Sequence, residues 1–89
     1  MKSADRKQLR AQAHTLNPVV MIGQSGLTKP VLTEIELALD HHELIKIKVR
    51  AEREQRQQIK DEICAATGAE FIQSIGQILV IYRINPDKK

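Results

Sequence analysis

The apolar residues near the start of the chain first follow a helical period and then form one short run. Residues 3–15 predict a first helix whose inward positions are Leu9 and Ala13. This helix is expected to end before Pro18, because proline disfavours helix in the residue that precedes it. Residues 19–22, VVMI, form an apolar run between turn residues, which predicts a short buried strand.

The middle of the chain shows one helical pattern and one alternating pattern. Residues 29–42 predict a second helix, since their apolar residues recur at helical spacing. The inward positions of this helix are Val31, Leu32, Ile35, Ala38 and Leu39. The segment 44–50, LIKIKVR, alternates strictly and predicts a half-buried strand. Its inward side carries Ile45, Ile47 and Val49, and its outward side carries Lys46, Lys48 and Arg50.

The last part of the chain predicts a third helix and a hairpin. The helical segment 53–67 has as inward positions Ile59, Ile63 and Ala66. Gly68 follows at a position that favours the end of a helix. The segments EFIQSI and QILVIYR flank Gly76 and Gln77, which suit a two-residue hairpin turn with glycine first.

The predicted order of elements is α-β-α-β-α-β-β. Two β-α-β crossovers, right-handed by strong preference, followed by a hairpin predict an α/β fold: a single compact domain with a mixed four-stranded sheet and helices packed on it. We assign this domain to residues 1–86 and expect residues 87–89 to form a frayed tail.

The composition is that of an ordinary one-domain globular protein, with 89 residues, 42% hydrophobic and 28% charged. No apolar run approaches the ~18 residues of a membrane span, and the N-terminal MKSADRKQLR lacks the apolar segment of a signal peptide. Cys64 is the single cysteine, which permits no internal disulfide and suits a reducing compartment. We therefore expect a cytoplasmic protein without membrane contact, and a monomer.

The net charge of +3 conceals an uneven distribution of charge. The charged side chains of residues 1–16 are Lys2, Asp5, Arg6, Lys7 and Arg10. A second basic stretch is the outward side of 44–50, whereas the acidic side chains of 34–43 are Glu34, Glu36, Asp40 and Glu43. This segregation predicts one basic and one acidic face, and a basic face indicates an anionic partner, most commonly nucleic acid.

The stretch MIGQSGLTKP, residues 21–30, places two glycines three positions apart before a helix. It departs from the serine-nucleophile elbow because the second glycine comes one residue early, at Gly26. The P-loop and dinucleotide-binding patterns are absent. Two interpretations remain. One is a plain turn, which the glycine spacing alone favours. The other is a phosphate site with unpaired amides from Gly26 to Lys29, Thr28 as N-cap and the Lys29 charge beside it.

No catalytic or metal site is predicted. His41 and His42 are adjacent, and neighbouring helical residues point about 100° apart, so the pair cannot chelate one ion from one face. The carboxylates are spread along helical faces and form no acid–base pair, and Cys64 is expected to be a small core residue. The sequence therefore predicts a protein that is not an enzyme and that uses neither a cofactor nor a metal.

The outward stripe of Lys46, Lys48 and Arg50 would be about 13 Å long at ~3.3 Å per residue. A solvated sheet face guarded by lysines explains this stripe equally well, but the basic first helix and the glycine turn favour nucleic acid. Phe71 and Tyr82 are the only phenylalanine and tyrosine, too few for stacking on unpaired bases. Binding is thus expected to rest on the phosphates and shape of structured RNA.

Two segments carry a resemblance to a known family: AHTLNPVVMIGQSGLTKPVLTEIELALDHHELIKIKV and TGAEFIQSIGQILVIYR. They resemble the CRM (CRS-YhbY) domain, and most of all its stand-alone bacterial YhbY type, over residues 6–84. The resemblance implies a fold similar to the C-terminal domain of translation initiation factor three, with an added N-terminal helix. It also implies RNA binding, association with precursors of the large ribosomal subunit, and a G-x-x-G loop at residues 23–26. Family loops often carry a basic residue where this chain has Gln24 or Ser25, which leaves more of the charge to Lys29.

We therefore expect an RNA-binding protein that joins the maturing large ribosomal subunit and assists the folding of rRNA. The expected RNA contacts are Gly23, Gln24, Ser25, Gly26, Lys29, Lys46, Lys48, Arg50, Arg6, Lys7 and Arg10. One alternative is a protein-interaction adaptor whose acidic helix at 34–43 docks on a basic ribosomal protein. A small enzyme is the second alternative, and the missing motifs disfavour it.

Overall fold

The computed structural model describes residues 3–84, and the elements within that range follow the predicted order. They are α1 (Ser3–Ala13), β1 (Val20–Ile22), α2 (Lys29–His42), β2 (Leu44–Val49), α3 (Arg53–Thr67), β3 (Glu70–Ile75) and β4 (Ile78–Tyr82). The bounds of α2, α3 and β3 are those predicted, whereas α1, β1, β2 and β4 are each one or two residues shorter. The predicted tail at 87–89 lies outside the described residues.

The four strands form one mixed sheet in the order β1-β2-β4-β3. β1 is parallel to β2, and β4 is antiparallel to both of its neighbours. α2 connects β1 to β2, and α3 carries the chain across the sheet to β3 at the far edge. The hairpin then returns β4 into the gap between β2 and β3, which confirms the predicted fold class.

A tight turn at Gly76 and Gln77 joins β3 to β4. Ile75 pairs with Ile78 across it, and only the first turn residue, Gly76, has a positive φ, at 55°. That combination favours a type II′ turn, which the twist of a hairpin accommodates.

The main core lies between one face of the sheet and the helices α2 and α3. Its buried side chains are Val20, Ile22, Ile35, Leu39, Ile45, Ile47, Val49, Ile59, Ile63, Ala69, Leu79 and Ile81. The predicted inward side of β2 is therefore confirmed. The helical and alternating periods bring apolar residues to the same side of their elements, and the sheet then buries them together.

The inward face of α3 differs from the prediction in its last turn. Ala66 is exposed, and Thr67 is buried instead, with 7% of its surface accessible. The spacing explains this, because Thr67 follows Ile63 and Ile59 at steps of four residues along the same helical face. The Thr67 hydroxyl is satisfied: it donates to the carbonyl of Ile63 at 2.7 Å and accepts from the amide of Ala69 at 3.1 Å.

α1 packs on the opposite face of the sheet and covers only part of it. The smaller cluster under α1 consists of Ala13, Leu44, Ile72 and Val80, with Leu9, Ile78 and Tyr82 partly buried against it. Beyond α1 the same face stays open, and Met21 and Ile75 are each more than half exposed. None of the helices in residues 3–84 has the length and apolarity that crossing a membrane requires.

Candidate nucleic-acid interface

The glycine turn after β1 is a hydrogen-bonded turn closed by Gly26. The Gly26 amide donates to the carbonyl of Gly23 at 3.1 Å, and Gly26 has a φ of +73°. This φ is costly for any residue with a Cβ, so the turn itself requires glycine at this position. The prediction that the Gly26 amide is unpaired is therefore wrong, because the turn uses it.

The fold does not require a glycine at position 23. Its φ is not positive, and a Cβ built on it would meet no atom within 4 Å. An alanine would therefore fit the free protein. A glycine with open space around it leaves room for another molecule to approach the backbone closely.

The turn leads directly into the N-terminus of α2. Leu27 is half-buried against the main core, which fixes the turn to the domain. Thr28 caps the helix, with its hydroxyl oxygen accepting from the amide of Val31 at 3.4 Å, and Pro30 lies in the first helical turn. The exposed side chain of Lys29 therefore stands at the positive end of the helix dipole, where an anion is favoured.

The parallel pairing of β1 and β2 places the glycine turn beside the end of the basic strand. The Arg50 amide donates to the carbonyl of Ile22 at 2.9 Å, so the two strands remain paired up to the turn. A shallow depression of ≈ 600 Å³ joins the features there, lined by Gln24, Lys48, Arg50, Ala51, Glu52, Gln55 and Gln77. One residue of the turn, two basic side chains and the hairpin tip thus share one surface.

Lys46 and Lys48 lie on the sheet face that α1 only partly covers. Both are half-buried. Lys48 has Met21 on one side and Ile78 on the other, and Lys46 pairs with Val80. Apolar neighbours hold the lysine stems against the sheet and leave the ammonium groups directed outward. Arg50 comes directly after the end of β2 and continues this basic stripe beyond the strand.

The basic residues of α1 divide between two directions. Asp5 and Gln8 line a pocket with Tyr82, which places their flank of α1 at the end of the sheet where β2 begins. Because the helix makes one turn every 3.6 residues, Arg6 and Arg10 project from the opposite flank. That flank faces the open half of the sheet, toward Lys46 and Lys48.

Lys7 stands apart from this group, whereas Lys29 borders the glycine turn from the side of α2. Lys7 is exposed and projects away from the sheet by the same helical geometry. Lys29 lies on the α2 side of the glycine turn, which is the other side from α1. The fold thus places the turn beside the end of β2, directs one flank of α1 toward the same sheet face, and leaves Lys7 outside the group.

Three basic residues on α3 were missing from the sequence-based set. Arg53, Arg56 and Lys60 line a groove between α3 and the β3–β4 hairpin. Their spacing of three and then four residues is the signal that could have found them, because it places all three on one helical face.

The acidic side of the molecule is engaged within the protein. The Arg83 guanidinium donates to Glu36 Oε2 and to Asp40 Oδ1, each at 2.9 Å, and also to the carbonyl of Thr67 at 2.8 Å. The hydrogen bond that Arg83 donates to Glu36, more than any other contact, raises the pKa of Arg83 above its ordinary value. Two acidic residues that the adaptor interpretation assigns to a partner therefore already hold α2 to the end of β4.

Cys64 on α3 behaves as the predicted core residue. It is half-buried against the main core, and burial raises the pKa of its thiol, more than the nearby Lys60 lowers it. The neutral thiol is a weak nucleophile and a weak metal ligand.

The fold and the surface together define a small α/β protein with a glycine turn and basic side chains grouped at one end of its sheet. The CRS1/YhbY (CRM) domain family matches residues 1–83. The chain belongs to this family, which confirms the resemblance seen in the sequence.

Relatives and a solved structure agree with this assignment. A protein of Haemophilus influenzae named "RNA-binding protein" is 54% identical over 89 residues, which cover 98% of this chain and 90% of the relative. A "Probable RNA-binding protein" of Pseudomonas aeruginosa is 45% identical over 82 residues, covering 91% of this chain and 79% of that protein. The solution structure of a Staphylococcus aureus protein thought to bind RNA matches with a TM-score of 0.86 at 29% identity. The match covers 100% of this chain and 94% of that one.

Proposed function

We propose that this protein binds structured RNA and assists the folding of rRNA in precursors of the large ribosomal subunit. The binding site is what we call the loop–sheet surface. It consists of the glycine turn 23–26 with Lys29, the stripe of Lys46, Lys48 and Arg50, and the α1 flank of Arg6 and Arg10.

The observation that carries the proposal is that the glycine turn and the end of β2 line the same depression. Lys48 and Arg50 supply positive charge beside a turn whose first glycine leaves the backbone accessible. Cations together with backbone amides are the usual ligands of nucleic-acid phosphates. Such contacts position an RNA without reading its bases.

The scarcity of aromatic residues supports structured RNA over unpaired bases. Phe71 packs on the side of α3, and Tyr82 is partly buried in the cluster under α1. Neither ring lies on the open half of the sheet, so bases have no platform there. Phosphate and shape recognition, as in helical RNA, fits the surface better.

The names of the relatives support RNA as the ligand, since the Haemophilus and Pseudomonas proteins both carry RNA binding in their names. The finer proposal, a role in assembly of the large subunit, rests on what the resemblance to the YhbY type implies. We propose that the protein acts as one domain, residues 1–86, that it is a cytoplasmic monomer, and that it performs no chemical step. Family and relatives are described as RNA-binding proteins and not as enzymes.

Crosslinking in living cells tests this proposal. Ultraviolet crosslinks from the tagged protein should map to rRNA of the large subunit, and the protein should sediment with incomplete large-subunit particles. Crosslinks confined to other RNAs would leave RNA binding but remove the assembly role. Sedimentation with ribosomal particles in the absence of any RNA crosslink would favour the adaptor instead.

A further inference from the structure

The groove between α3 and the β3–β4 hairpin is a second basic surface, on the other side of the sheet from α1. It has a volume of ≈ 390 Å³. Its polar lining consists of Arg53, Arg56, Gln57, Lys60, Ser74 and Gln77. We propose that this groove is a second RNA site, which binds a single-stranded segment continuing from the RNA on the loop–sheet surface. This inference rests on the proposed function.

The three cations form a row along one side of α3. Arg53 and Lys60 are seven residues apart, which corresponds to about 10 Å along the helix at ~1.5 Å per residue. Successive phosphates of a stacked strand advance by about 3.4 Å along the axis. The row therefore matches the backbone of about three nucleotides.

Two of the cations are already held in place. Arg56 Nη1 donates to the carbonyl of Ala51 at 2.6 Å, and the guanidinium has further N–H groups for a ligand. Lys60 Nζ lies 4.8 Å from the centre of the Phe71 ring and 3.3 Å from Asp61. Side chains that are ordered before binding lose less conformational entropy when the ligand arrives.

The groove is continuous with the loop–sheet surface at the hairpin tip. Gln77 lines both the groove and the depression that contains Lys48 and Arg50. Its carbonyl accepts from the Val49 amide at 2.7 Å, which fixes the tip against the end of β2. An RNA strand that leaves Arg50 and passes Gln77 arrives at Arg53.

The shape of the groove favours one strand over two. Its three cations form a single row along α3, which follows one sugar-phosphate backbone. Lys60 covers the face of Phe71, so a base cannot stack there, and contacts to the sugar-phosphate backbone remain. We therefore expect this site to be indifferent to sequence and sensitive to salt.

A variant of unchanged net charge tests the inference. R53Q/K60Q removes two positive charges, and E54Q/E62Q on the same helix removes two negative ones, so the fourfold variant keeps the charge of the parent protein. Arg56 is retained because it bonds to Ala51. The probes are a blunt RNA stem and the same stem with a single-stranded uridine extension.

We expect the parent protein to bind the extended stem about five- to tenfold more tightly than the blunt stem. The fourfold variant should bind the blunt stem as the parent does and lose the gain from the extension. Its salt slope on the extended stem should fall by about 1.4, at ~0.7 for each single-strand phosphate contact. If the melting temperature of the fourfold variant falls, the R53Q/E54Q variant replaces it, because both of its changes are at exposed side chains. It is compared with the parent protein on the same two stems.

Two results would overturn the second site while leaving the proposed function intact: an extension that adds nothing for the parent, or a variant that keeps the full gain. A third result would also overturn the inference: polyglutamate binds the parent protein more tightly than the fourfold variant, while the extended stem binds both equally. The groove would then be assigned to an acidic protein segment. A parent protein that binds neither stem would remove the proposed function itself.

Discussion

In the turn after β1, Gly26 adopts a φ of +73°, whereas Gly23 has an ordinary φ and open space around its Cα. We expect Gly23→Ala to fold normally, with a melting temperature equal to or slightly above that of the parent protein, because alanine restricts the unfolded chain. If a phosphate approaches this backbone, the methyl group should lower RNA affinity by about tenfold or more, measured by titration.

Gly26→Ala is the matched control for this prediction. It should lower the free energy of unfolding by about 1 kcal/mol, because alanine is strained at a positive φ. A Gly23→Ala protein that binds RNA as tightly as the parent would show that the turn has no close phosphate.

Gln24 and Ser25 are exposed in the same turn and allow a test by charge. Replacing both with aspartate should lower RNA affinity by about tenfold or more, or ~1.4 kcal/mol, through repulsion of the phosphate. Thermal melting should change little, because acids near the N-terminus of α2 are favourable to the helix dipole. If the double variant folds normally and binds RNA as tightly as the parent protein, this segment is a plain turn and not a phosphate site.

Arg83 is the side chain on which the packing of α2 against the end of β4 most depends. Its side chain is only 21% exposed and bonds to Glu36, Asp40 and a carbonyl of α3. Arg83→Met should lower the free energy of unfolding by about 1–3 kcal/mol, discounted for the exposure of the two carboxylates. This corresponds to a fall in melting temperature of roughly 5–20 °C.

The control for this prediction is Arg53→Met, because Arg53 is exposed. The Arg53→Met protein should melt within a few degrees of the parent protein. The Arg83→Met protein, measured below its melting temperature, should retain its affinity for a blunt RNA stem. Equal melting of the Arg83→Met and parent proteins would contradict the role assigned to Arg83.

Among the strands, β2 has two functions, because its two faces point to different surroundings. One face builds the main core, and the other carries Lys46 and Lys48. Replacing Lys46, Lys48 and Arg50 with glutamine should reduce RNA affinity by about tenfold or more, since three phosphate contacts are removed. Melting should fall by only a few degrees, because the apolar stems of the two half-buried lysines pack on the sheet.

Lys7→Gln provides the comparison for β2, because Lys7 is exposed and projects away from the sheet. It should weaken binding much less than Lys48→Gln does. Equal losses from the two single variants would mean that RNA responds to the overall charge and not to the surface at the end of β2.

For the protein as a whole, salt dependence measures how many phosphates the surface engages. The grouped cations of β2 and α1, with Lys29, allow about four to six contacts, each worth about 0.7–0.9 in the slope of log affinity against log salt. The slope for a blunt RNA stem should therefore lie between about −3 and −5. A nearly flat response would indicate that RNA is not held by its phosphates and would favour the adaptor.

Much of the fold followed from local patterns. The alternation in 44–50 predicted which face of β2 is buried, and the helical spacing in 29–42 predicted α2 to the residue. Ala66 was the exception, because two adjacent residues compete for the inward position where a helix ends, and packing selected Thr67. Such patterns succeed because the period of apolar residues depends only on neighbours along the chain.

The composition of the candidate site could be predicted only in part. The glycine turn and the basic strand were visible as sequence motifs, and the helical period separates Arg6 from Lys7 relative to the inward Leu9 and Ala13. Which part of the sheet each flank of α1 faces depends on how α1 packs. In the sequence, the three cations of α3 are recognisable only by their helical spacing. They line a groove only because the β3–β4 hairpin packs beside them.

By itself, the sequence determined the order of the elements, most of their inward positions and the family, because each depends on residues close together in the chain. Only the tertiary structure decided that β4 lies between β2 and β3, that α1 leaves half of a sheet face open, and that the turn adjoins Arg50. It also decided that Arg83 neutralises acids on α2, 47 and 43 residues away. These arrangements rest on contacts between distant segments, which form because burying the apolar faces together is more favourable than leaving them in water.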